Sequence, residues 1–164
     1  MKTNNKLIEM SLEGVRIELP SQRPIILLKE KEGYIYLPIW VGAFEASAIA
    51  LELSNIKTPR PMTHDLIINI LKNLNIKVDT IEVSDIKDNT FYAVLNLKNI
   101  NRKVIRVDSR PSDAIAIAVR EKCKIFSSYH VLTQAGIKIQ SIDDEVQKFK
   151  NFLEHVNPED FNQI

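Results

Sequence analysis

An internal echo constrains the fold more than any other feature of the chain. Glu45-Ala-Ser-Ala-Ile-Ala50 and Asp113-Ala-Ile-Ala-Ile-Ala118 share an acid-Ala-x-Ala-Ile-Ala pattern, 68 residues apart. Each follows a pair of β-rich runs. Ala and Ile at this spacing form a helix, and its small face allows close approach to a sheet or a second helix. The pattern reads as a duplicated β-β-α unit, or as two helices that meet the same packing demand. Under duplication, Glu45 and Asp113 are pseudo-equivalent and lie near one another across a pseudo-twofold. Strands grouped with a few helices predict an α+β fold with a mixed β-sheet and packed helices.

The remaining elements follow from periodicity. Residues 6–19 alternate loosely and predict a first strand with an irregular start. Runs 25–29 and 34–41 flank Glu30-Lys31-Glu32-Gly33, a hairpin turn. Residues 43–53 have helical composition, closed by Ser54-Asn55. Residues 63–74 predict the clearest helix, with Leu66, Ile67, Ile70, Leu71 and Leu74 as an apolar stripe and Asn75 just past its end. Runs 76–83 and 90–97 predict a strand pair joined by residues 84–89, and residues 103–107 another strand. A third helix spans 111–121 and a short buried strand 124–126, followed by one or two helical turns over 129–135. Ile142, Val146, Phe149 and Leu153 predict an amphipathic C-terminal helix that docks on the body or on another subunit. The domain division is 1–140 with a helical tail over 141–164.

At 164 residues the chain is long enough for one domain with a sizeable core. Its 22 basic and 21 acidic residues leave a net charge of +1, which argues against a dedicated electrostatic nucleic-acid binder but leaves room for a local basic groove. Seven Lys/Arg against three acids between Arg102 and Lys124 form such a stretch, or a solvated face. Cys123 is the only cysteine, which excludes an intrachain disulfide and a cysteine-based zinc site. Lys122 and Lys124 could lower its pKa, or it is a small residue leading into a strand. No apolar run is long enough to span a membrane and the N-terminus has no secretory pattern, so the expected location is cytoplasmic.

Two polar segments stand just before apolar runs: Pro59-Arg60-Pro61-Met62-Thr63-His64-Asp65 and Asp108-Ser109-Arg110-Pro111-Ser112-Asp113. Each places Arg, Pro, a hydroxyl and Asp at a helix start, where free N–H groups and the dipole attract anions. Capping accounts for part of this: Thr63 as an N-cap, Pro111 at N1, and Asp65 and Asp113 as first-turn acids. It does not account for Arg60, His64 and Arg110.

Four stretches, Leu-Pro-Ile-Trp-Val-Gly-Ala-Phe-Glu-Ala (37–46), Pro-Arg-Pro-Met-Thr-His-Asp-Leu (59–66), Asp-Asn-Thr-Phe-Tyr-Ala (88–93) and Asp-Ser-Arg-Pro-Ser-Asp-Ala-Ile-Ala (108–116), resemble the bifunctional nuclease domain family of bacteria and plants. The resemblance spans roughly residues 7–135. It implies an α+β domain that tends to form homo-oligomers, dimers or higher, and combined DNase and RNase activity with DNA or RNA as partner. Some relatives carry a further C-terminal interaction module. About 30 residues follow the match here, enough for one helix.

Phosphodiester hydrolysis needs an activated water, stabilised phosphoryl charge and a protonated leaving oxygen. His64 could be the base or acid. Arg60 and Arg110 could clamp phosphate, with Ser112 beside them. Asp65, Asp108, Asp113 and Glu45 could hold Mg2+ or another divalent cation. Glu45, His64, Asp65 and Asp113 are thus the candidate catalytic set, and Asp65, Asp108 and Asp113 the candidate metal ligands. Plain roles exist for each: His64 bonding a loop, Arg110 in a structural ion pair with Asp108, Asp113 or Glu45, and Glu45 on a solvent face. Trp40 is core or interface, or stacks on a base. His130 and His155 read as surface residues. A metal-assisted nuclease is one reading. A non-catalytic oligomeric domain that binds an anionic ligand or a partner protein is the other, with a C-terminal docking helix as a lesser third. The discriminator is whether Glu45, His64, Asp65, Arg110 and Asp113 surround one open cleft.

Overall fold

A computed structural model describes residues 6–19, 21–101 and 103–139. The predicted C-terminal helix and His155 lie outside these residues. The order is β1 (Leu7–Ile17), β2 (Pro24–Glu30), β3 (Ile35–Trp40), α1 (Ala43–Leu53), α2 (Thr63–Asn73), β4 (Lys77–Lys87), β5 (Thr90–Lys98), β6 (Val104–Ser109), α3 (Pro111–Glu121), β7 (Lys124–Ser128), α4 (Tyr129–Ala135) and β8 (Ile137–Lys138). The fold is α+β, with one mixed sheet in the order β6-β5-β4-β7-β1-β2-β3-β8. Every neighbouring pair is antiparallel except β4 and β7.

The echo has a topological counterpart. Two meanders, β1-β2-β3 and β4-β5-β6, flank β7, with β1 and β4 innermost and β3 and β6 farther out. Because β4 is parallel to β7 and β1 antiparallel to it, β1 and β4 run oppositely, as a twofold between the halves requires. α1 leaves the first meander and α3 the second, so the repeated unit is β-β-β-α, one strand longer than the predicted unit. Glu45 and Asp113 are each the third residue of their helix.

Local chemistry sets the element ends. Asp88 and Asn89 have φ of 47° and 58°, and Lys87 pairs with Thr90. This is a two-residue turn with both centres left-handed, which Asp and Asn tolerate. β4 therefore runs to Lys87, and the predicted six-residue connection shrinks to two. Asn55 and Asn75, at φ of 55° and 56°, end α1 and α2 in the left-handed conformation. Gly14 has φ of 130° at a bulge in β1, a conformation open to glycine and the source of that strand's irregular pattern. β6 extends through Ser109, so Asp108 is a strand residue.

α3 is the central helix. It packs on β4, β5 and β7 and against both α1 and α2. Its Ala114, Ile115, Ala116, Ile117 and Ala118 are all buried, the alanines admitting its neighbours closely. Complete burial of Ile49, Ile81 and Ile115 stabilises by about 1.5–3 kcal/mol each. α2 departs from expectation. It buries His64 and Ile68, while Leu66, Ile70 and Leu74 of the predicted core stripe face solvent. α4 touches both β3 and β4, four places apart in the sheet, so the sheet curls. That curl places Ile39 and Trp40 of β3 across a shared groove from Asn89, Thr90 and Phe91 of the β4–β5 hairpin.

Candidate functional site

The first turns of α1, α2 and α3 converge. Glu45 is the third residue of α1, His64 the second of α2, and Arg110 and Asp113 are the N-cap and third residue of α3. His64 Nε2 lies 3.1 Å from Asp113 Oδ1. Arg110 donates from Nε to Asp113 Oδ2 at 2.7 Å and from Nη2 to Asp113 Oδ1 at 3.1 Å. Its Nη1 is 3.1 Å from Glu45 Oε1. One arginine thus bridges the two pseudo-equivalent carboxylates. These four residues line a cleft of about 240 Å3, open to solvent, with Phe44, Ala48, Met62 and Thr63.

The cluster is graded from wet to dry: the Arg110 side chain is 60% exposed, Asp113 29% and His64 11%. Burial opposes the charge on Asp113, but hydrogen bonds from Arg110 and His64 outweigh it and hold the carboxyl below the usual aspartate range. Asp113 in turn holds Arg110 still more firmly protonated. Three helix N-termini direct partial positive charge at the cleft, which offsets its two carboxylates and favours an anionic ligand. A guanidinium has five N–H donors. Three of Arg110's face Glu45 and Asp113, leaving one on Nη1 and one on Nη2.

Asp65 is elsewhere. Although next to His64, it points into a neighbouring groove of about 290 Å3 that Arg60 and Arg120 also line. Its Oδ2 accepts from the Met62 backbone N–H at 2.8 Å, and its Oδ1 from Arg120 Nε at 2.8 Å. Burial again works against ionisation, yet these bonds keep Asp65 below the ordinary aspartate value. The N-cap is Met62, not Thr63, which stands at N1, and Asp65 at N3 reaches back to accept from the N-cap's own backbone N–H. Met62 lines both grooves.

Asp108 is exposed on β6, paired in register with Val94. Ser112 is buried and lines a third, mostly apolar groove with Trp40, Phe91 and Pro111. Trp40 is half-buried, its Nε1 donating to the buried Glu18 at 3.4 Å. His130 is exposed.

The geometry therefore gathers Glu45, His64, Arg110 and Asp113, and places Arg60, Asp65 and Asp108 apart from them; Ser112 faces the apolar groove that Glu45 and Arg110 also line, away from His64. Two residues escaped the sequence reading. The Arg120 side chain is largely covered and also donates to the carbonyls of Ala116 at 2.9 Å and Ala48 at 3.1 Å, tying α3 to α1 and α2. Its signal was available: it lies seven positions after Asp113, on the same helix face. Phe44, 89% exposed at the cleft, gave no periodic signal.

The donor set does not fit a divalent cation as it stands. Both oxygens of Asp113 and of Asp65 are already bonded, and Asp108 stands on another element. Among the described residues no three His, Cys, Asp or Glu side chains are placed to share an ion. Cys123 is half-buried, and burial raises its thiol pKa to about 11, so its role is packing before β7. No helix among the described residues is long and apolar enough to cross a membrane.

A family model described as the bifunctional nuclease domain matches residues 26–140. An uncharacterized protein of Mycobacterium tuberculosis is 42% identical over 163 residues, covering 93% of this chain and 97% of that protein. Bifunctional nuclease 1 of Oryza sativa subsp. indica is 25% identical over 139 residues, which is 83% of this chain but 42% of the rice protein. Bifunctional nuclease 2 of Arabidopsis thaliana is 27% identical over 126 residues, 74% of this chain and 38% of that protein. The domain match covers all four gathered residues and most of the sheet around them; the chain belongs to the bifunctional nuclease domain family.

Proposed function

We propose that this chain is a nuclease that hydrolyses phosphodiester bonds of DNA and RNA at the Glu45–His64–Arg110–Asp113 cleft. The observation that carries the proposal is the convergence of three helix N-termini, one exposed arginine and one carboxylate-held histidine in a single open cleft. With its proton on Nε2, His64 donates to Asp113, and Nδ1 is left as the base for an attacking water. Asp113 fixes the tautomer and stabilises the imidazolium that forms; as the water oxygen bonds to phosphorus, the P–O bond to the leaving nucleotide breaks and its oxygen takes a proton from solvent. The two N–H groups left on Arg110 bind the phosphoryl oxygens, and charge that builds on those oxygens strengthens the contact. Glu45 holds the guanidinium from its other side. The rice and Arabidopsis relatives bear the name bifunctional nuclease, in line with this reading.

Mg2+ or another divalent cation, proposed as a cofactor, would have to displace Arg110 from Asp113, since the carboxylates as placed do not hold an ion; no step above passes through it. A homo-oligomer is proposed as the working state. The second reading, a non-catalytic oligomeric domain that binds an anionic ligand, draws on the same cluster: Arg110 is already paired with two carboxylates, as in a structural network.

The test is hydrolysis of fluorescent single-stranded DNA and RNA by purified protein, with magnesium and with chelator, beside His64→Ala and Asp113→Ala proteins prepared identically. Cleavage by wild type that both variants lose supports the nuclease and its site. Loss with chelator adds the metal. Equal cleavage by all three proteins, or none by wild type, refutes the proposal.

A further inference from the structure

Arg110 stands at the junction of two grooves. One is the His64 cleft, with Phe44 on its wall, and the other is the apolar groove of about 200 Å3 lined by Trp40, Phe91 and Pro111. Glu45 and Arg110 line both. Phe44 is 89% exposed, the highest value among the large apolar side chains described. An exposed phenyl ring lies on one side of Arg110 and a groove lined in part by aromatic residues on the other, so a ring, a cation and an apolar groove stand in sequence. Single-stranded nucleic acids are held this way: bases stack on aromatic faces while cations track the backbone, whatever the sequence. A duplex cannot use such a track, because its base faces are already stacked on one another.

Resting on the nuclease reading, we infer that the substrate is a single-stranded polynucleotide, with one base on Phe44, the adjacent phosphate on Arg110, and the next base in the Trp40–Phe91 groove. Asn89 and Thr90 also line that groove and could supply polar groups to a base edge. The arrangement explains how one site accepts both DNA and RNA, since neither stacking nor phosphate contact reads the sugar. Phe44 acts here as a binding residue, outside the chemistry at His64.

The experiment measures binding by fluorescence anisotropy with chelator present and with each strand checked on a gel to be intact after the reading, using a labelled ten-residue thymidine strand, a strand of the same length with tetrahydrofuran spacers for nucleosides, and a duplex. Wild type is expected to bind the thymidine strand at least tenfold tighter than the spacer strand or the duplex. Phe44→Ala is expected to weaken binding of the thymidine strand about fivefold to a hundredfold, the range for loss of one stacked base. The same change leaves the spacer strand unaffected, and Phe44→Trp restores thymidine binding. Because Phe44 is exposed, these variants keep the fold, and sedimentation velocity checks their mass. Tight thymidine binding that Phe44→Ala leaves unchanged overturns the platform alone. Duplex binding equal to single-strand binding overturns the single-strand preference. A change in oligomer mass without a change in thymidine binding assigns Phe44 to self-association and overturns the inference. Binding of none of the three strands removes the nuclease reading and the platform together.

Discussion

Arg120→Met tests the separation of the Asp65 groove from the His64 cleft. The Arg120 side chain is 6% exposed, and its three bonds hold Asp65, Ala116 and Ala48. Met keeps most of the apolar stem and removes the charge. Removing one partner of a buried ion pair costs about 3–5 kcal/mol, because the other charge is left unpaired. Asp65 is one-third exposed, so water and screening recover part of that. The Ala48 carbonyl loses its side-chain donor, which adds about 1 kcal/mol where water cannot reach it. Together these give about 3 kcal/mol, or a fall in Tm of about 6–12 °C for a domain of this size. Urea unfolding of Arg120→Met, Asp65→Asn and the double variant measures it. The double variant is expected to lose at least 1 kcal/mol less than the sum of the singles, since each single strands a charge that the double removes. A loss below 1 kcal/mol for Arg120→Met, or strict additivity, would refute the reasoning.

Acid should loosen both the Asp65–Arg120 pair and the Asp113 cluster. Asp113 and Asp65 both have folded-state pKa values below their unfolded values, so their stabilisation is full above the unfolded aspartate pKa of about 3.9 and is lost as pH falls through the folded values. The urea midpoint is expected to drop between pH 5 and pH 2, and to drop less in Asp113→Asn; equal drops would contradict the assignment. Cys123, with its thiol pKa near 11, is expected to react slowly with a thiol-specific disulfide reagent at pH 8 and rapidly in urea. Fast reaction of the folded protein would show that the thiol is not shielded as described.

The elements were legible because their signals are local. Alternation marked the hairpins, Pro111 marked the start of α3, and Asn75 the end of α2. The echo went further, since a repeated acid at the third helical position told that Glu45 and Asp113 belong together; Arg110 joins them. The face of α2 was misread for a physical reason. Leu66, Ile70 and Leu74 form as good a stripe as Ile67 and Leu71, and only the position of α3 decides which one packs, partly buried, against the core. His64 and Asp65 show the same limit at the site. Adjacent residues on a helix point about 100° apart, so one joins Asp113 and the other Arg120, and their bonds span 49 and 55 residues. Asp108 looked like part of a helix start until β6 proved to run through it.

The central claim is that the His64–Asp113 pair performs the chemistry while the adjacent Asp65–Arg120 pair holds the helices. The most direct measurement is the rate of single-strand cleavage by Asp113→Asn and by Asp65→Asn, side by side, at a temperature where both are folded by circular dichroism. The account predicts a loss of at least a hundredfold for Asp113→Asn, because Asn cannot stabilise the imidazolium, and a rate within threefold of wild type for Asp65→Asn. Equal losses in the two variants, or a larger loss in Asp65→Asn, would contradict it.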